Sequence, residues 1–367
     1  MGVHRPSRGT PPGDADEAAG PRTPVQADPF LTVAIPTFNR AAALDRTLAV
    51  VVPQLDASAR LVILDNASTD DTPAVCARHA SAGRVAVVRH SVNIGANANI
   101  VRCCEHAGPG HLWILPDDDL PDARAVATIR SVIARHPEAD YLNFHTTLLD
   151  WFGVRRERER SAAAAAEFAD ALDSFGNLLF LTAGVYRADF VRSWIVEGHD
   201  AIGTCGPTIA MVLRAVGRGE ARVVFSPASI AAWGAPATWD PARVTRAVYD
   251  LIPLLPAGPA RRRFAAKLFA DFPPRLWRKS DARGLVAALA AGREGMAAAV
   301  DRYRVAAGFL PRYLLPLSVA RLLHFIVPTG APAVARWILR THARMRGTLP
   351  PGAAAGARSG STASPGK

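Results

Sequence analysis

Three consecutive carboxylates, Asp117, Asp118 and Asp119, follow a short apolar run in the segment LWILPDDD. Carboxylates this close repel one another, so each resists ionising beside the others unless a cation is present. Hard divalent cations such as Mg²⁺ and Mn²⁺ take oxygen ligands, often one or two carboxylates together with the phosphates of a substrate. The alternative is a solvated acidic turn, the commoner fate of such runs. The position of the triplet at the end of a predicted strand favours a site for Mg²⁺ or Mn²⁺.

Polar segments also follow three other predicted strands. The four segments at strand ends are PTFNR (36–40), DNASTDD (65–71), HSVNIGANAN (90–99) and PDDD (116–119). In open α/β sheets, ligands bind beyond the carboxyl ends of the strands. These segments hold nearly all the polar, non-helical residues in this half of the chain. They therefore predict a binding site at one edge of a sheet.

The second segment combines a helix-start signal with a candidate binding carboxylate. Ser68 and Asp71 have the spacing of a capping box that opens a helix. Asp65 precedes the box at the strand end, where its carboxylate could accept hydrogen bonds from a base or a sugar. In the third segment, Gly95 allows close approach of the backbone to a ligand, and a helix N-terminus that favours an anion follows. A plain turn leading into a helix is the alternative there.

The elements that must position these segments alternate along the first 150 residues. Apolar runs predict strands at 31–36, 60–64, 84–89 and 112–115, and helical patterns occupy 41–55, 70–80, 96–105 and 123–135. Such alternation predicts βαβ units and a parallel sheet covered by helices on both faces. Further strands are predicted at 140–146, 182–186 and 222–226, and a helix follows the charged stretch RRERER. From Trp239 onward the pattern is helical and broken by prolines.

Charge and composition narrow the class of protein. The chain carries a net +11, but the segment 259–346 has 17 Lys and Arg against 4 Asp and Glu, so the region with the polar segments is near neutral. No nucleic-acid partner is therefore expected. The Pro- and Gly-rich ends, 1–29 and 349–367, are predicted to be disordered. Four cysteines without a CxxC pair indicate a reducing, cytoplasmic setting. Neither GxGxxG after the first strand nor GxxxxGK[ST] occurs, so the usual dinucleotide and P-loop fingerprints are absent.

Four motifs in register carry a resemblance to a known family. VAIPTFNR, ILDNASTDDT, NIGANANIVRCCEHA and WILPDDD, in this order and spacing, resemble the family 2 glycosyltransferases. NIGANANI followed by LPDDD is most similar to the abequosyltransferase-like branch. The resemblance covers about residues 30 to 235 and implies an α/β GT-A fold with a mostly parallel sheet, which predicts a domain over 30–238. The change of pattern near Trp239 and the basic charge beyond it predict a helical basic extension over 239–348.

The resemblance also implies an activity and a set of site residues. It implies inverting transfer of a sugar from a nucleotide-diphosphate sugar to a hydroxyl on a saccharide or lipid-linked acceptor, in polysaccharide, glycolipid or cell-envelope synthesis. The residues that match the donor-binding positions are Pro36, Thr37 and Asn39 in the nucleotide pocket, Asp65 at the base, Asn93 and Asn99 in the third motif, and Asp118 toward the sugar or ribose. Asp117 and Asp119 match the ends of the DxD motif that holds Mg²⁺ or Mn²⁺.

The chain departs from the family where a catalytic base is often found. Many members carry an acidic pair before a helix that ends in Arg, but Pro207 and Thr208 stand there, ahead of Arg214, and Trp233 stands where a His often follows. The candidates for the base are instead Asp200, His199 and Glu197, in the predicted loop IVEGHDAIG, where an exposed structural role is the alternative. Trp233 and Trp239 are candidates for an acceptor platform or for the core.

Two rival functions and one membrane hypothesis remain open. A sugar nucleotidyltransferase is expected to carry a glycine-rich loop after the first strand, which PTFNRAAA lacks. A non-catalytic nucleotide-sugar-binding module fits the missing acidic pair. The segment RYLLPLSVARLLHFIVP (312–328) is too interrupted to span a bilayer, but its arginines and apolar residues suit an anionic membrane surface, such as the inner face of the plasma membrane. The alternative is packing on the catalytic domain or a dimer contact.

Overall fold

A mixed sheet forms the centre of the computed structural model, which describes residues 30–81, 83–151, 154–232 and 247–271. Its strands in these ranges are β1 (Leu31–Thr37), β2 (Ala59–Asp65), β3 (Val85–Arg89), β4 (His111–Ile114), β5 (Leu120–Pro121), β6 (Tyr141–Thr146), β7 (Arg160–Ala162), β8 (Gly184–Arg187) and β9 (Val223–Ala232). The order across the sheet is β3-β2-β1-β4-β8-β6-β9-β5, and β7 pairs with β9.

The first four strands are parallel, as the alternation of apolar runs and helices predicts. β1 lies between β2 and β4, and β3 pairs with the outer side of β2. Thr37 is opposite Asp65, so β1 and β2 end together. β4 is shorter, because its last residue, Ile114, is opposite Ala34. The chain after β4 therefore runs beside the end of β1, which places the aspartate triplet next to Thr37.

The second half of the sheet is where the topology becomes mixed. β8 is antiparallel to both β4 and β6, so β6 runs in the same direction as β4. β9 is parallel to β6, and the short strands β5 and β7 are antiparallel to β9. Because β6 and β4 share a direction, the carboxyl end of β6 lies at the same edge of the sheet as the polar segments.

The helices cover both faces of the sheet. They are α1 (Ala41–Val51), α2 (Thr72–Ala80), α3 (Ala96–Glu105), α4 (Ala125–Arg135), α5 (Thr147–Trp151), α6 (Ala165–Ala171), α7 (Phe175–Leu179), α8 (Ala188–Asp200), α9 (Pro207–Arg218) and α10 (Pro259–Asp271). Helices α1, α2 and α4 pack on one face, and α3 and α6 to α10 contribute to the core on the other. Apolar side chains thus line both faces of the central strands, as is usual for parallel sheets.

Residues 247–271 pack into the same core as the sheet. This segment contains a 3₁₀ helix, Tyr249–Leu254, and α10. Phe264 of α10 contacts the rings of Phe168 and Phe175. The Asp271 carboxylate accepts hydrogen bonds from the Ser174 hydroxyl at 2.7 Å and the Gly176 amide at 2.9 Å. The start of the predicted basic extension is therefore joined to α6 and α7.

Other predictions for the chain ends fall outside the described residues. These include Trp233, Trp239, the segment 312–328 and both predicted disordered tails. Within the described ranges, no helix is both long enough and apolar enough to cross a membrane.

The predicted fold class is confirmed, and several local predictions need correction. β5 and β7 were not predicted, since two- and three-residue strands leave little periodic signal. The helix predicted over 41–55 ends at Val51 and continues as a 3₁₀ turn through Pro53, which lacks the N–H donor that an α-helix requires. The predicted loop around Glu197–Asp200 is instead the last turn of α8.

Candidate functional site

The predicted polar segments meet at the carboxyl edge of β1, β2 and β4. The Thr37 hydroxyl donates a 2.6 Å hydrogen bond to Asp117 Oδ2, and Arg40 Nη1 lies 3.0 Å from Asp118 Oδ2. The Asn66 side-chain amide donates a 2.9 Å hydrogen bond to Asn93 Oδ1. These contacts join segments that are 27 to 80 residues apart in the chain. They enclose a cavity of about 360 Å³.

Each of the four segments contributes to the wall of this cavity. The residues that line it are Pro36, Thr37, Phe38 and Arg40 after β1, Asn66 after β2, Asn93, Gly95, Ala96, Asn99 and Ile100 around the start of α3, Pro116 and Asp117 after β4, and Leu181 before β8. Amides, a hydroxyl, a guanidinium and a carboxylate converge there beside apolar side chains, which is the usual composition of a small-molecule site.

Asp117 is a buried carboxylate with a perturbed pKa. Burial raises its pKa from 3.8 to about 6, while the Thr37 hydroxyl bond lowers the pKa and the neighbouring Asp118 charge raises it. A buried carboxylate of this kind is stabilised in its ionised form by a nearby cation. The raised pKa and the burial fit a residue that pairs with a bound cation better than they fit a solvated acidic turn.

Asp119 is also buried, and the turn around it is held from two sides. The Thr182 hydroxyl donates a short hydrogen bond to Asp119 Oδ2. The Thr47 hydroxyl of α1 bonds to the main-chain oxygens of Asp117, at 2.9 Å, and Asp119, at 3.1 Å. Thr47 and Thr182 therefore fix the triplet between α1 and the segment that precedes β8.

The carboxylates of the triplet fit a divalent cation that takes some of its ligands from the protein and the others from a bound substrate. Within the described ranges, no group of three or more His, Cys, Asp or Glu side chains could hold a metal ion by itself. Asp117 and Asp119 are two buried carboxylates at one turn. Mg²⁺ is commonly bound by one or two carboxylates together with substrate phosphates and water. The donor set is thus suited to a cation that arrives with a phosphorylated ligand.

Asp65 lies at the predicted place but serves the loop that follows β2. Its Oδ1 accepts a hydrogen bond from the Ser68 amide, and its Oδ2 is 2.9 Å from Arg89 Nη1. The predicted capping box is wrong, because the Ser68 hydroxyl accepts from the Asn39 amide instead of opening α2. The N-cap residue of α2 is Asp71, whose side chain makes no capping bond, and the Thr72 amide at the start of the helix donates to Asp70 Oδ1 at 3.0 Å.

The predicted asparagines divide into cavity residues and braces. Asn99 is buried, donates to the Leu64 carbonyl at 3.0 Å and contributes to the cavity wall. Asn93 lies at the rim, where its Oδ1 also accepts from the Gly95 amide. Asn39 does not line the cavity. Its backbone has a φ of 53°, a region that Asn tolerates better than most residues, and its Oδ1 accepts from the Thr69 amide.

The candidate bases, His199, Asp200 and Glu197, do not line the cavity. His199 Nε2 lies 3.6 Å from Glu105 Oε1, and Glu197 Oε1 lies 3.5 Å from Arg218 Nη2. His199 and Asp200 are exposed at the end of α8. The chain just after α8 is joined to the cavity rim, because the Asn97 side chain donates to the carbonyls of Ile202 and Thr204.

Several residues that line the cavity are not predicted from the sequence. Phe38 and Arg40 lie within PTFNR, and Asn66 directly follows Asp65, so the sequence predicts their segments but does not single out these side chains. Leu181 gave no signal, because it reaches the cavity only through the antiparallel placement of β8 beside β4. Thr208, in place of the expected acidic pair, is buried at the start of α9.

Known proteins resemble this chain both in sequence and in fold. Residues 32–178 match the family model described as glycosyl transferase family 2. The structure is similar to that of S. aureus TarS 1-349 in complex with UDP, with 14% identity, coverage of 85% of this chain and 92% of that chain, and a TM-score of 0.52. The chain has a GT-A glycosyltransferase-like fold.

Two further proteins are similar to this chain, one in structure and one in sequence. A Pyrobaculum calidifontis mannosyltransferase in complex with GDP-Man and Mn²⁺ is similar to this GT-A-like fold, with 13% identity, coverage of 88% of this chain and 89% of that chain, and a TM-score of 0.51. An uncharacterized protein of Mycobacterium tuberculosis is 31% identical over 114 residues, or 30% of this chain. That match spans 34% of the relative's length. The abequosyltransferase-like branch stays a prediction.

Proposed function

We propose that this protein transfers a sugar from a nucleoside-diphosphate sugar to a hydroxyl acceptor. The observation that carries the proposal is the turn at the carboxyl end of β4, where Asp117 and Asp119 are buried and Asp117 lines a cavity built from four strand-end segments. The match to glycosyl transferase family 2 supports it. So does the similarity to a fold that binds UDP in TarS and GDP-Man with Mn²⁺ in the mannosyltransferase.

In the proposed reaction, the site residues bind the donor and hold the reacting groups. Asn66, Asn93 and Asn99 surround the nucleoside, with Asp65 bracing the loop on which Asn66 lies. Asp117 and Asp119 would hold Mg²⁺ or Mn²⁺, which would supply positive charge to the departing diphosphate. The Thr37 and Thr182 hydroxyl bonds keep these two carboxylates in place.

The acceptor hydroxyl needs a general base to take up its proton. For inversion, the acceptor oxygen attacks the anomeric carbon from the face opposite the diphosphate while its proton passes to the base. His199 and Asp200 are the proposed groups, because both are exposed and the chain that follows them is bonded to Asn97 at the cavity rim. The acceptor class proposed is a saccharide or a lipid-linked saccharide, in the synthesis of polysaccharide, glycolipid or cell envelope.

Ligand-dependent melting of the full-length protein tests the donor and metal parts. UDP or GDP with Mn²⁺ should raise the melting temperature, since a ligand at about 100 times its Kd stabilises the folded state by about 2.7 kcal/mol. Asp119→Asn should remove the Mn²⁺-dependent part of this shift. The control is Asp45→Asn, because Asp45 lies on α1 in an exposed ion pair with Arg78 of α2, and this variant should keep the shift. No shift with either nucleotide in the wild-type protein would refute the proposal.

Hydrolysis of a bound nucleotide sugar distinguishes an enzyme from a binding module. A glycosyltransferase commonly transfers slowly to water when no acceptor is present, so release of UDP or GDP from the donor should be detectable. Asp200→Asn or His199→Gln should lower transfer to an acceptor while nucleotide binding remains. Binding without any turnover, with a panel of sugars and acceptors, would favour the non-catalytic module.

A further inference from the structure

The guanidinium of Arg40 is the cationic group that reaches the cavity. Among the described residues that line it, Arg40 is the one Lys, Arg or His side chain. Its main-chain amide donates to the Thr72 hydroxyl at 3.0 Å, so the residue is anchored between α1 and α2 independently of its side chain. The side chain extends from this anchor to Asp118, with Nη1 3.0 Å from Oδ2.

The negative charge of the aspartate triplet opposes the binding of a doubly charged ligand. Asp117, Asp118 and Asp119 lie on one turn, and a nucleoside diphosphate brings further negative charge. A single divalent cation at Asp117 and Asp119 would offset those two carboxylates, and the charge of Asp118 would still repel the diphosphate. Arg40 neutralises Asp118 and adds a planar array of N–H donors, which matches the oxygens of a phosphate group.

The side chains of Arg40 and Asp118 are more exposed to solvent than those of Asp117 and Asp119. Asp117 and Asp119 are 6% and 4% exposed, whereas the side chains of Arg40 and Asp118 are 30% and 28% exposed. A partly exposed ion pair contributes little to folding stability, about 0 to 1 kcal/mol. A role in stability alone therefore gives a weak account of a charged pair whose arginine lies on the cavity wall.

We propose that Arg40 binds the diphosphate of the donor and stabilises it as the leaving group, with Asp118 orienting the guanidinium. This inference rests on the proposed function, because it assigns a further group to the same site. In the transfer step, the bond from the anomeric carbon to the diphosphate oxygen breaks and its electrons remain on the diphosphate. The acceptor oxygen forms the new bond, and its proton goes to the base. Arg40 hydrogen-bonds the oxygens on which the negative charge develops.

A phosphate series isolates this contribution. The dissociation constants of the nucleoside, its monophosphate and its diphosphate are measured by calorimetry for wild type, Arg40→Gln and Arg40→Lys, in Mn²⁺ and in EDTA. The uridine and guanosine series are both used, and the series that binds wild type is followed. Arg78→Gln is the matched control, since Arg78 also pairs with one aspartate, Asp45, but lies on the surface of α2.

Arg40→Gln should weaken diphosphate binding by about 10- to 100-fold, the range expected for hydrogen bonds to a charged group, and change nucleoside binding by less than about threefold. The loss should persist in EDTA. Arg40→Lys should recover part of it, because a point charge replaces the planar array. Arg78→Gln should match wild type.

The outcomes separate this inference from the proposed function. If wild type binds no nucleoside diphosphate, the proposed function fails. If wild type binds one and folded Arg40→Gln keeps the full gain in affinity from nucleoside to diphosphate, the role of Arg40 is overturned and the proposed function stands. An equal loss at every step of the series would also overturn it. Should Arg40→Gln fail to fold, Arg40→Lys provides the test, because lysine lacks the planar guanidinium. If Arg40→Lys binds the nucleoside, the monophosphate and the diphosphate with the affinities of wild type, and transfers sugar at the wild-type rate, the proposal is contradicted.

Discussion

Replacing Asp117 by asparagine should stabilise the ligand-free protein at neutral pH while it weakens divalent-dependent nucleotide binding. Burial raises the pKa of Asp117 from 3.8 to about 6, although the Thr37 hydroxyl bond lowers it. Between about pH 4 and 6 the folded state therefore binds more protons than the unfolded chain. The stability of the wild-type protein falls as the pH rises through this window, and Asp117→Asn removes that loss.

The size of the effect follows from the pKa. A shift of about two units corresponds to about 3 kcal/mol above pH 6, at about 1.36 kcal/mol per unit. The asparagine oxygen can still accept the Thr37 hydroxyl bond, but its NH₂ group enters a buried position that held an acceptor, which costs part of the gain. We expect a net stabilisation of about 1 to 3 kcal/mol near neutral pH.

Urea unfolding of the full chain in EDTA, followed from about pH 4.5 to 8, measures this stability difference. The difference between Asp117→Asn and wild type should be small at the acid end and should grow to a plateau above about pH 6. Asp45→Asn, whose carboxylate is exposed and has a lowered pKa, provides the contrasting control. A variant that is less stable than wild type near neutral pH, or a difference that does not change with pH, would refute the reasoning.

Three other predictions follow from single buried or bonded groups. His111 is 6% exposed with both ring nitrogens unpartnered, and burial lowers its pKa to about 4. The free energy of unfolding should therefore fall by up to about 3 kcal/mol as the pH drops from about 6.5 to 4. Melting temperatures of His111→Leu, measured over the same pH range, should lack this contribution. Asp65→Ala should raise the donor KM more than it lowers kcat, because the loop that Asp65 braces is proposed to bind the nucleoside, far from the reacting carbon. An unchanged KM with normal turnover contradicts this. Asp271→Asn should lower the urea midpoint by the equivalent of about 1 to 2 kcal/mol, since it weakens two hydrogen bonds to Ser174 and Gly176. A midpoint equal to that of wild type would show that these bonds do not anchor α10.

Predictions from the sequence succeeded where local pattern and position along a strand suffice. The parallel arrangement of β1 to β4 follows from continuous apolar runs alternating with helices, and α3 has the predicted bounds, Ala96–Glu105. The clustering of the strand-end segments follows from the same pattern, because parallel strands joined by helices end at one edge. The identity of the base and of the acceptor could not be predicted in this way.

What the sequence alone determined is the set of polar segments, their order and the edge at which they meet. Tertiary structure decided which side chains face the cavity and which brace the loops. Asp119 meets Thr182 only because β8 is inserted antiparallel between β4 and β6, and Leu181 reaches the cavity for the same reason. Arg40 pairs with Asp118 across 78 residues of chain. Such contacts depend on how distant elements pack, and no local periodicity encodes them.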